Sequence, residues 1–434
     1  MNIIEIIAKK RDNKELTEEE IAYFVQEYTK GNITDYQASA LLMAIYINGM
    51  NEREIKDLTI AMAYSGEIMD LSSIGDTIVD KHSTGGIGDK VTMILMPIMA
   101  TLGIPIVKMS GRGLGITGGT IDKMESIQGY RTELTREEII ENVKEIGICL
   151  TGQTENLAPA DKKIYALRDA IACTDNIALI ASSIMSKKIA SGADKIVLEV
   201  TVGKGAFMKD KEEAIELCNI MKQIGKLTGK ETVCVITNMN SPLGNSVGNT
   251  LEIIETIDAL KGKISQDVLE VVQEVGAYMM KLSGRGNNIT ENKEKIKRII
   301  ENGTAYEKFR QLVQKQGGDL QCINNPHKLG KAKYVVPIFA EIDGIVESID
   351  AEVIGSVSVY IGAGRTKKED KIDHNVGIVI NKKIGDYVEV GETLAYIHAN
   401  DEKKVNGAVE NVRRAYKLTS KKVTIPKTIL GIIE

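Results

Sequence analysis

The sequence predicts an α/β protein with three parts: a helical domain, an α/β domain with a largely parallel sheet, and a β-rich C-terminal domain of α+β type. Residues 1 to about 66 carry only helical patterns, and from about residue 75 short apolar strands alternate with helices. From residue 333 onward, short β segments are separated by turns. We therefore assign residues 1–66 plus 159–192 to the helical domain, 70–158 plus 193–332 to the α/β domain, and 333–434 to the third.

Three helix starts mark the N-terminal block. Each has the pattern of a capping box, in which the first side chain and the one three residues later bond each other's backbone N–H groups. The pairs are Thr17 with Glu20, Thr34 with Gln37, and Asn51 with Glu54. Residues 36–46 are apolar on nearly every side, which predicts a helix that is buried on most of its surface.

The α/β part alternates regularly. Its predicted strands are Thr77–Asp80, Ile106–Met109, Ile148–Thr151, Ile196–Val202 and Thr232–Thr237. Its predicted helices are Val91–Leu102, Arg136–Ile146 (after a capping box of Thr135 and Glu138) and Lys211–Leu227. Such an alternation predicts a sheet covered on both faces, with ligands bound beyond the carboxyl ends of its strands.

One interval interrupts the alternation. Residues 159–190 hold two helical patterns with no strand between them, Pro159–Ala172 and Ala178–Ala190. Proline suits the first turn of a helix, because the N–H that it lacks would have no partner there. We expect these helices to pack with the N-terminal ones. In the C-terminal part, residues 386–398 resemble a lipoyl or biotinyl carrier hairpin. No lysine stands at the tip of a tight turn there, so we expect a barrel sandwich without a prosthetic group.

Composition excludes several classes of function. The 434-residue chain has a formal net charge of −5, so no overall positive field draws it to nucleic acid or to a membrane. No apolar run approaches the ~20 residues of a membrane span, and the charged N-terminus lacks a secretory cleavage site. The five cysteines are odd in number and have no CxxC spacing, so neither a disulfide framework nor a zinc site is indicated. We expect a soluble cytoplasmic protein.

The loop after the first predicted strand has the composition of an anion site. It contains three glycines (Gly85, Gly86 and Gly88), and a long apolar helix follows it. Glycines let several N–H groups point into one hollow, and the helix presents its positive end to the same hollow. Lys81, Ser83 and Thr84 add donors, and His82 lies beside them. The alternative is a solvated glycine-rich turn.

A second glycine-rich loop follows the second predicted strand. Lys108, Ser110 and Thr120 would provide charge and hydroxyl donors to the same anion, because both loops leave neighbouring strand ends. Arg112 has an alternative structural role, as an ion pair that holds the loop. We expect Asp122 and Glu125 to stabilise the helix that follows rather than to act as acids.

The two helices at 159–190 carry a third cluster. Tyr165 and Arg168 are three residues apart, and Ser183 and Lys187 are four apart, so each pair shares a helix face. Lys188 is rotated about 100° from Lys187, which makes Lys187 the better candidate for a cleft that Ser183 faces. These groups would hold a second polar moiety; the alternative is a solvated basic face.

Together these segments resemble the pyrimidine nucleoside phosphorylase and thymidine phosphorylase family. The matching motifs are KHSTGGIGD (Lys81–Asp89), SGRGLGITGGTIDKME (Ser110–Glu125), APADKKIYALR (Ala158–Arg168), IASSIMSKK (Ile180–Lys188) and GAFM (Gly205–Met208). The resemblance extends over the whole chain. It implies a homodimer in which a cleft closes between the helical and α/β domains.

The resemblance also assigns roles to residues. Phosphate would be held by Lys81, Ser83, Thr92, Lys108, Ser110 and Thr120, and the pyrimidine base by Tyr165, Arg168, Ser183 and Lys187. His82, Arg168 and Lys187 would be the catalytic residues, with His82 near the sugar and base. A potassium ion, a hard cation suited to oxygen ligands, would lie at the backbone of Gly88, Lys90, Leu243 and Ser246 and the carboxylate of Glu255. No organic cofactor is implied.

Two positions depart from the family pattern. Ile116 stands where the family commonly has a histidine, and Lys204 stands where it often has a small residue. The first would remove a polar contact across the cleft, and the second would alter the approach of phosphate or the hinge.

The expected reaction is reversible phosphorolysis of pyrimidine ribo- and deoxyribonucleosides, in which bound phosphate is the nucleophile. It would yield the free base and ribose 1-phosphate or 2-deoxyribose 1-phosphate. One alternative is a strictly deoxy-specific thymidine phosphorylase. A second is an anthranilate-type phosphoribosyltransferase, which would need paired carboxylates such as Asp80 and Asp89 for a magnesium pyrophosphate. A third is a non-catalytic binding or carrier protein built around the C-terminal domain.

Overall fold

The computed structural model describes residues 1–113, 115–116, 118–154, 156–367 and 370–434; Leu114 and Thr117 of the second glycine-rich motif lie outside them. The helices are α1 (Ile3–Arg11), α2 (Glu18–Lys30), α3 (Asp35–Asn48), α4 (Glu52–Ala63), α5 (Val91–Thr101), α6 (Thr120–Glu125), α7 (Arg136–Ile146), α8 (Pro159–Ala170), α9 (Ile177–Ala190), α10 (Lys211–Leu227), α11 (Asn249–Leu260), α12 (Gln266–Leu282), α13 (Ile289–Glu301), α14 (Thr304–Lys315), α15 (Leu320–Asn324), α16 (Ala351–Ile361) and α17 (Glu402–Ala415). A 3₁₀ helix spans Pro326–Leu329. The strands are β1 (Val79–Ser83), β2 (Ile106–Ser110), β3 (Ile148–Gly152), β4 (Lys195–Val202), β5 (Glu231–Asn238), β6 (Ser246–Val247), β7 (Tyr334–Phe339), β8 (Gly344–Ile349), β9 (Gly377–Ile380), β10 (Tyr387–Val388), β11 (Thr393–Ala399), β12 (Tyr416–Thr419) and β13 (Ile429–Ile433).

The N-terminal helices pack with the two helices that interrupt the α/β alternation. Buried side chains of α1 to α4 share one apolar core with Ala160 and Ile164 of α8 and Leu179 of α9. The predicted capping boxes at Thr17, Thr34, Asn51 and Thr135 are present. Pro159 occupies the first turn of α8, as expected. The far side of α9 packs on α10, so α9 joins the helical part to the α/β part.

Helix α3 differs from its prediction on one side. Leu41, Leu42 and Ile45 are buried, but Tyr36 and Ile47 are each 74% exposed. Ala40 is exposed and Met43 is half-buried on the same face, since these four positions recur at helical spacing. The apolar pattern correctly predicted a buried helix. It could not show that one face of the helix, the apolar stripe of residues 36, 40, 43 and 47, is left uncovered by the described residues.

The predicted parallel sheet is confirmed. Strands β1, β4 and β5 lie side by side and parallel, and β2 pairs with β3 in a second parallel ladder. In the register of β1 on β4, Lys81 lies opposite Val197 and Ser83 opposite Glu199. Helix α5, buried from Val91 to Ala100, fills the core beneath the sheet. The carboxyl ends of β1 and β2 therefore carry the two glycine-rich loops to one edge.

The C-terminal part is rich in β structure, as predicted. Strand β8 lies between β10 and β12, while β6, β9, β11 and β7 form a second sheet, and α16 packs on α17. The expected hairpin at 386–398 is wrong, because β10 pairs with β8 whereas β11 pairs with β7 and β9. Alternating apolar residues predict strands but do not specify which strand lies beside them. The likeness to a carrier-type barrel stays a prediction.

Two ladders cross between the α/β part and the C-terminal part. Strand β13 runs antiparallel to β5 and extends the main sheet. Strand β6, which precedes α11, pairs with β9. The C-terminal part is thereby attached to the sheet at both places. Within the described ranges, every helix is too short or too polar to span a lipid bilayer.

Candidate active site

A cavity of about 600 Å³ lies between the glycine-rich loops on one side and α8 and α9 on the other. The sequence-predicted residues that line it are His82, Ser83, Thr92, Lys108, Ser110, Thr120, Tyr165, Arg168, Ser183 and Lys187. The wall also contains the apolar side chains of Ile180, Ile184, Phe207 and Met208. The two loops and the two helices thus face the same space, with hydroxyls and Lys108 on one wall and Lys187 and Arg168 on the other.

Lys81 lies on β1, which extends to Ser83 and so includes residues predicted for the first loop, and its side chain lies behind the hydroxyl-bearing wall. Its side chain is fully buried, and its Nζ is 2.6 Å from Glu199 and 3.5 Å from the Oγ1 of Thr92, which lines the cavity. Burial lowers the pKa of Lys81, but the Asp89 and Glu199 carboxylates outweigh it and raise that pKa above its ordinary value. Burial raises the pKa of Glu199 to about 7. The positive charge of Lys81 therefore lies close behind the wall expected to hold phosphate.

The second loop is held by ion pairs. Arg112 donates to both oxygens of Glu125, at 2.5 and 2.7 Å, and Asp122 accepts from the backbone N–H of Gly113 at 2.7 Å. Arg365 of the C-terminal part also donates to Asp122, at 2.8 Å. The structural alternative for Arg112 is therefore the one observed. Asp122 lies in the first turn of α6, as expected, whereas the expectation for Glu125 is wrong, because Glu125 ends α6 and holds the loop through Arg112.

On the opposite wall, Lys187 is held in place by two partners. Its Nζ lies 2.7 Å from Asp161 on α8 and 2.9 Å from the Oγ of Ser183, one helical turn earlier on α9. Asp161 is buried, while the Lys187 side chain is 20% exposed and lines the cavity. Asp161 is a functional candidate that the sequence did not reveal, because its link to Lys187 spans 26 residues.

Arg168 makes three hydrogen bonds to backbone carbonyls. Its Nε donates to Cys173, one terminal nitrogen donates to Leu179 and the other donates to Thr174, at 2.9 to 3.1 Å. The side chain is 1% exposed and lines the cavity. A guanidinium has five N–H groups, so two remain for a ligand. Arg168 thus holds the connection between α8 and α9 as well as facing the cavity.

His82 lies among four lysines. Burial lowers its pKa well below 6.5, and the ammonium groups of Lys188, Lys108, Lys187 and Lys81 lower it further. With no anion bound, the imidazole is therefore neutral near pH 7 and can donate one hydrogen bond.

A buried charge cluster supports the floor of the cavity. Asp80 lies 2.6 Å from the Nζ of Lys188 and 3.4 Å from that of Lys108, and all three side chains are buried. Lys108 also donates to the carbonyl of Lys81 at 2.6 Å. Burial raises the pKa of Asp80, but the two lysines outweigh this and lower it below its ordinary value. Lys187 and Lys188 point in directions about 100° apart around the axis of α9. Lys187 therefore pairs with Asp161, whereas Lys188 pairs with Asp80.

Comparison with known proteins identifies the family. Residues 4–66 match the helical bundle domain of the glycosyl transferase family, 75–306 match its α/β domain, and 345–419 match the pyrimidine nucleoside phosphorylase C-terminal domain. The pyrimidine-nucleoside phosphorylase of Staphylococcus haemolyticus (strain JCSC1435) is 48% identical over 433 residues, which cover 100% of both chains. That of Bacillus subtilis (strain 168) is 50% identical over 402 residues, 93% of each chain. This chain belongs to the pyrimidine-nucleoside phosphorylase family.

Membership confirms the resemblance stated from the motifs, and it makes the chain a glycosyltransferase of the pentosyltransferase type. A solved structure, the anthranilate phosphoribosyltransferase (TrpD) of Thermus thermophilus, matches with a TM-score of 0.59 at 17% identity. The match covers 72% of this chain and 99% of that one. At this identity the likeness concerns the fold alone. It supports the arrangement of a helical part against an α/β part.

The two departures from the family pattern lie outside the cavity wall just described. The Nζ of Lys204 is 2.6 Å from Asp350, which caps α16 in the C-terminal part, so Lys204 links that part to the α/β part. Ile116 packs against the main core, and its carbonyl lies close to Gly355 of α16. Both residues of this phosphorylase-family protein contact the C-terminal part rather than the nucleoside side of the cleft.

The buried Lys108 predicts that phosphate binding is coupled to the uptake of a proton. Its pKa is lowered to about 7, because burial together with the ammonium groups of Lys188 and Lys81 outweighs the Asp80 carboxylate, which raises it. A dianion bound in the cavity would favour the charged ammonium and raise that pKa, so phosphate binding at about pH 8 should take up most of a proton. Calorimetric titration in buffers of different ionisation enthalpy measures this uptake.

The matched variant for this experiment is Lys108→Arg, because arginine stays charged throughout this range and has no proton to take up. Its phosphate binding should show a smaller proton uptake than that of the wild type at the same pH. Equal uptake in the two proteins would show that the proton goes to phosphate or to another group.

Proposed function

We propose that this protein catalyses the reversible phosphorolysis of pyrimidine ribo- and deoxyribonucleosides. The products would be the free base and ribose 1-phosphate or 2-deoxyribose 1-phosphate. The observation that supports this best is the single cavity in which two glycine-rich loops with Ser83, Ser110 and Thr120 face Lys187, Ser183 and Arg168. The relatives named pyrimidine-nucleoside phosphorylase, at about half identity over nearly the whole chain, support the same substrates.

In this mechanism the protein places phosphate and stabilises charge. A phosphate oxygen forms a bond to C1′ of the sugar while the C1′–N1 bond to the base breaks, and the bonding electrons leave with the base. The hydroxyls of Ser83, Ser110 and Thr120 would orient phosphate, and Lys108 and Lys81 would supply positive charge behind it. No covalent bond to the protein is needed, because phosphate is the nucleophile.

On the base side, negative charge develops on N1 and is delocalised over the exocyclic oxygens O2 and O4. Lys187, held by Asp161 and Ser183, and the two remaining N–H groups of Arg168 would stabilise that charge. The neutral His82 would donate a hydrogen bond near the sugar and base. Phe207 and Ile184 provide apolar surface in the same wall, suited to a planar ring.

The phosphoribosyltransferase alternative needs carboxylates that are free to bind a magnesium pyrophosphate. Asp80 is instead held by Lys108 and Lys188, and Asp89 accepts a hydrogen bond from the N–H of Val91 at the start of α5. Because both candidates have structural partners, the geometry favours direct use of inorganic phosphate.

We also propose that the protein is a cytoplasmic homodimer. The exposed apolar stripe of α3, which contains Tyr36 and Ile47, supports a partner subunit on this side, together with Ile4 of α1. Cytoplasmic location is supported by the cysteines, which are all buried and free of disulfide bonds. Sedimentation equilibrium of the purified protein measures its oligomeric state.

A substrate panel tests the proposed reaction. Uridine, thymidine, deoxyuridine and cytidine are incubated with the protein, with and without inorganic phosphate and in the presence of a chelator, and the released base is quantified. We expect phosphate-dependent release of uracil from uridine and of thymine from thymidine that survives chelation. Release from the deoxynucleosides alone would restrict the proposal to the deoxy-specific alternative, and no phosphate-dependent release from any substrate would contradict it.

A further inference from the structure

The residues that the family resemblance assigns to a potassium ion surround a side chain of the protein itself. The Nζ of Lys90 lies 2.7 Å from the carbonyl oxygen of Leu243 and 3.0 Å from the carboxylate of Glu255. The Lys90 side chain is fully buried. Two of the expected ligands of the ion therefore contact an ammonium group that is part of the same chain.

The backbone closes around this ammonium group. A Cβ atom built on Gly244 would lie 2.6 Å from the Nζ of Lys90 and 2.5 Å from Glu255, and one built on Gly88 would lie 2.5 Å from the carbonyl of Leu243. Glycine at both positions, each with a positive φ, leaves the space that the ammonium group fills. A separate ion between the Leu243 carbonyl and Glu255 would collide with the Nζ of Lys90, so the residues present do not fit one.

We propose that the ammonium group of Lys90 takes the place of the monovalent cation in this protein, which therefore needs no potassium ion to hold this region. An ammonium group carries the same single charge, and its N–H groups donate to the oxygens that would otherwise ligate the ion. Because Lys90 is covalently part of the chain, this charge is retained at any concentration of salt. The proposal does not depend on the proposed function.

The position of Lys90 indicates which segments its ammonium group holds together. Glu255 accepts hydrogen bonds from the N–H groups of Asn245 and Ser246, both at 2.7 Å, so its carboxylate fixes the loop before α11. Lys90 is the residue directly before α5, at the end of the first glycine-rich loop. The ion pair between Lys90 and Glu255 therefore ties the loop expected to bind phosphate to the segment 243–246.

A neighbouring lysine supports the same loop from the other side. Lys383 donates to the carbonyls of Pro242 and Gly244, at 3.0 and 2.7 Å, and lies 2.9 Å from Asp267. Ammonium groups thus contact the carbonyls of residues 242, 243 and 244 in turn. Lys383 would remain in a Lys90 variant, so the loss of Lys90 would empty one position without removing every cation from the loop.

The test compares cation dependence of unfolding in three full-length proteins: wild type, Lys90→Ser and Lys90→Met. Each is unfolded thermally in potassium, sodium or choline chloride at equal ionic strength. Serine opens the position and leaves the Leu243 carbonyl and Glu255 facing it, whereas methionine fills the space without a charge. We expect the wild-type midpoint to be the same in all three salts.

For Lys90→Ser we expect a lower midpoint in choline and a saturable rise of several degrees with potassium chloride, because an ion that binds only the folded state stabilises it. Lys90→Met should be destabilised in every salt and should gain nothing from potassium. A saturable potassium-dependent rise for the wild type would overturn the proposal, and so would a Lys90→Ser protein that potassium does not restore.

A second measurement needs only the wild type, should Lys90→Ser not fold. Crystals soaked in a thallium salt, a heavy monovalent substitute for potassium, should show no anomalous peak beside Glu255. A peak within bonding distance of Glu255 and the Leu243 carbonyl would overturn the proposal. Neither experiment measures nucleoside turnover. The role of Lys90 can therefore be tested even in an inactive protein, and a lack of activity would count only against the proposed function.

Discussion

Replacing Lys187 with methionine should lower kcat/KM for uridine and thymidine at least about a hundredfold. The ammonium group is 20% exposed in the cavity wall, and in the proposed mechanism it would meet the charge that develops on the departing base. Loss of a single preorganised donor to developing charge typically costs roughly 3–4 kcal/mol in the transition state. Methionine keeps the length and apolar stem of the side chain, so the change is largely one of charge. Steady-state phosphorolysis kinetics at saturating phosphate measure the effect.

The control for this prediction is Lys226→Met on the exposed surface of α10, which should retain wild-type kinetics. Near wild-type kcat/KM for Lys187→Met would refute the assignment. His82→Ala should lose less than Lys187→Met, because phosphate remains the nucleophile and the imidazole is neutral. A loss for His82→Ala as large as that for Lys187→Met would make His82 essential to the reaction and would revise the mechanism.

Lys187 is a cleaner test than Arg168 for a structural reason. Arg168 donates to the carbonyls of Cys173, Thr174 and Leu179, so its removal would also leave buried carbonyls without partners. An Arg168→Ala protein would combine a lost ligand contact with a loosened connection between α8 and α9. The partners of Lys187 are side chains, Asp161 and Ser183, so its removal leaves the backbone bonds intact. It does leave the buried Asp161 carboxylate without its cation, so Asp161→Asn with Lys187→Met separates that cost from the lost ligand contact.

What the sequence could predict was local. Strands, capping boxes and glycine-rich loops are each encoded within a few consecutive residues, and the structure has them where the patterns indicated. The convergence of both loops on one cavity also followed from the sequence, because parallel strands place their carboxyl ends at the same edge. Ser110 and Thr120 could therefore be placed near Ser83 without any knowledge of the tertiary structure.

The charge partners could not be predicted in this way. Asp80 and Lys188 are 108 residues apart, and Lys90 pairs with Glu255 on the distant helix α11. Local sequence patterns do not show which acidic residue pairs with which basic residue. The pairs are determined by the packing of the sheet against α9 and α11. The same reason explains the wrong hairpin in the C-terminal part, where two adjacent strands pair with different sheets.

The Asp80 cluster leads to the second prediction of large effect, which concerns stability. Asp80→Asn should lower the free energy of unfolding by about 3–5 kcal/mol, because it leaves the buried ammonium group of Lys188 without its carboxylate. Asparagine has nearly the same shape, so the change creates little cavity. Urea unfolding followed by far-UV circular dichroism measures the difference. Asp12→Asn is the matched control, since its pairing with Arg11 is exposed and its removal should leave the unfolding midpoint unchanged.

A double variant separates lost charge pairing from general damage. If the cost arises from the unpaired buried ammonium group of Lys188, then Asp80→Asn combined with Lys188→Met should be more stable than Asp80→Asn alone, because that cation is gone. Acid gives an independent check on the wild type. The pKa of Asp80 is lowered in the folded protein. Asp80 therefore contributes its full stabilisation at pH values above the ordinary pKa of a carboxyl group, and this stabilisation is lost as the pH falls through the lowered pKa. An Asp80→Asn protein as stable as the wild type, or a double variant less stable than Asp80→Asn, would mean that this cluster does not support the cavity floor.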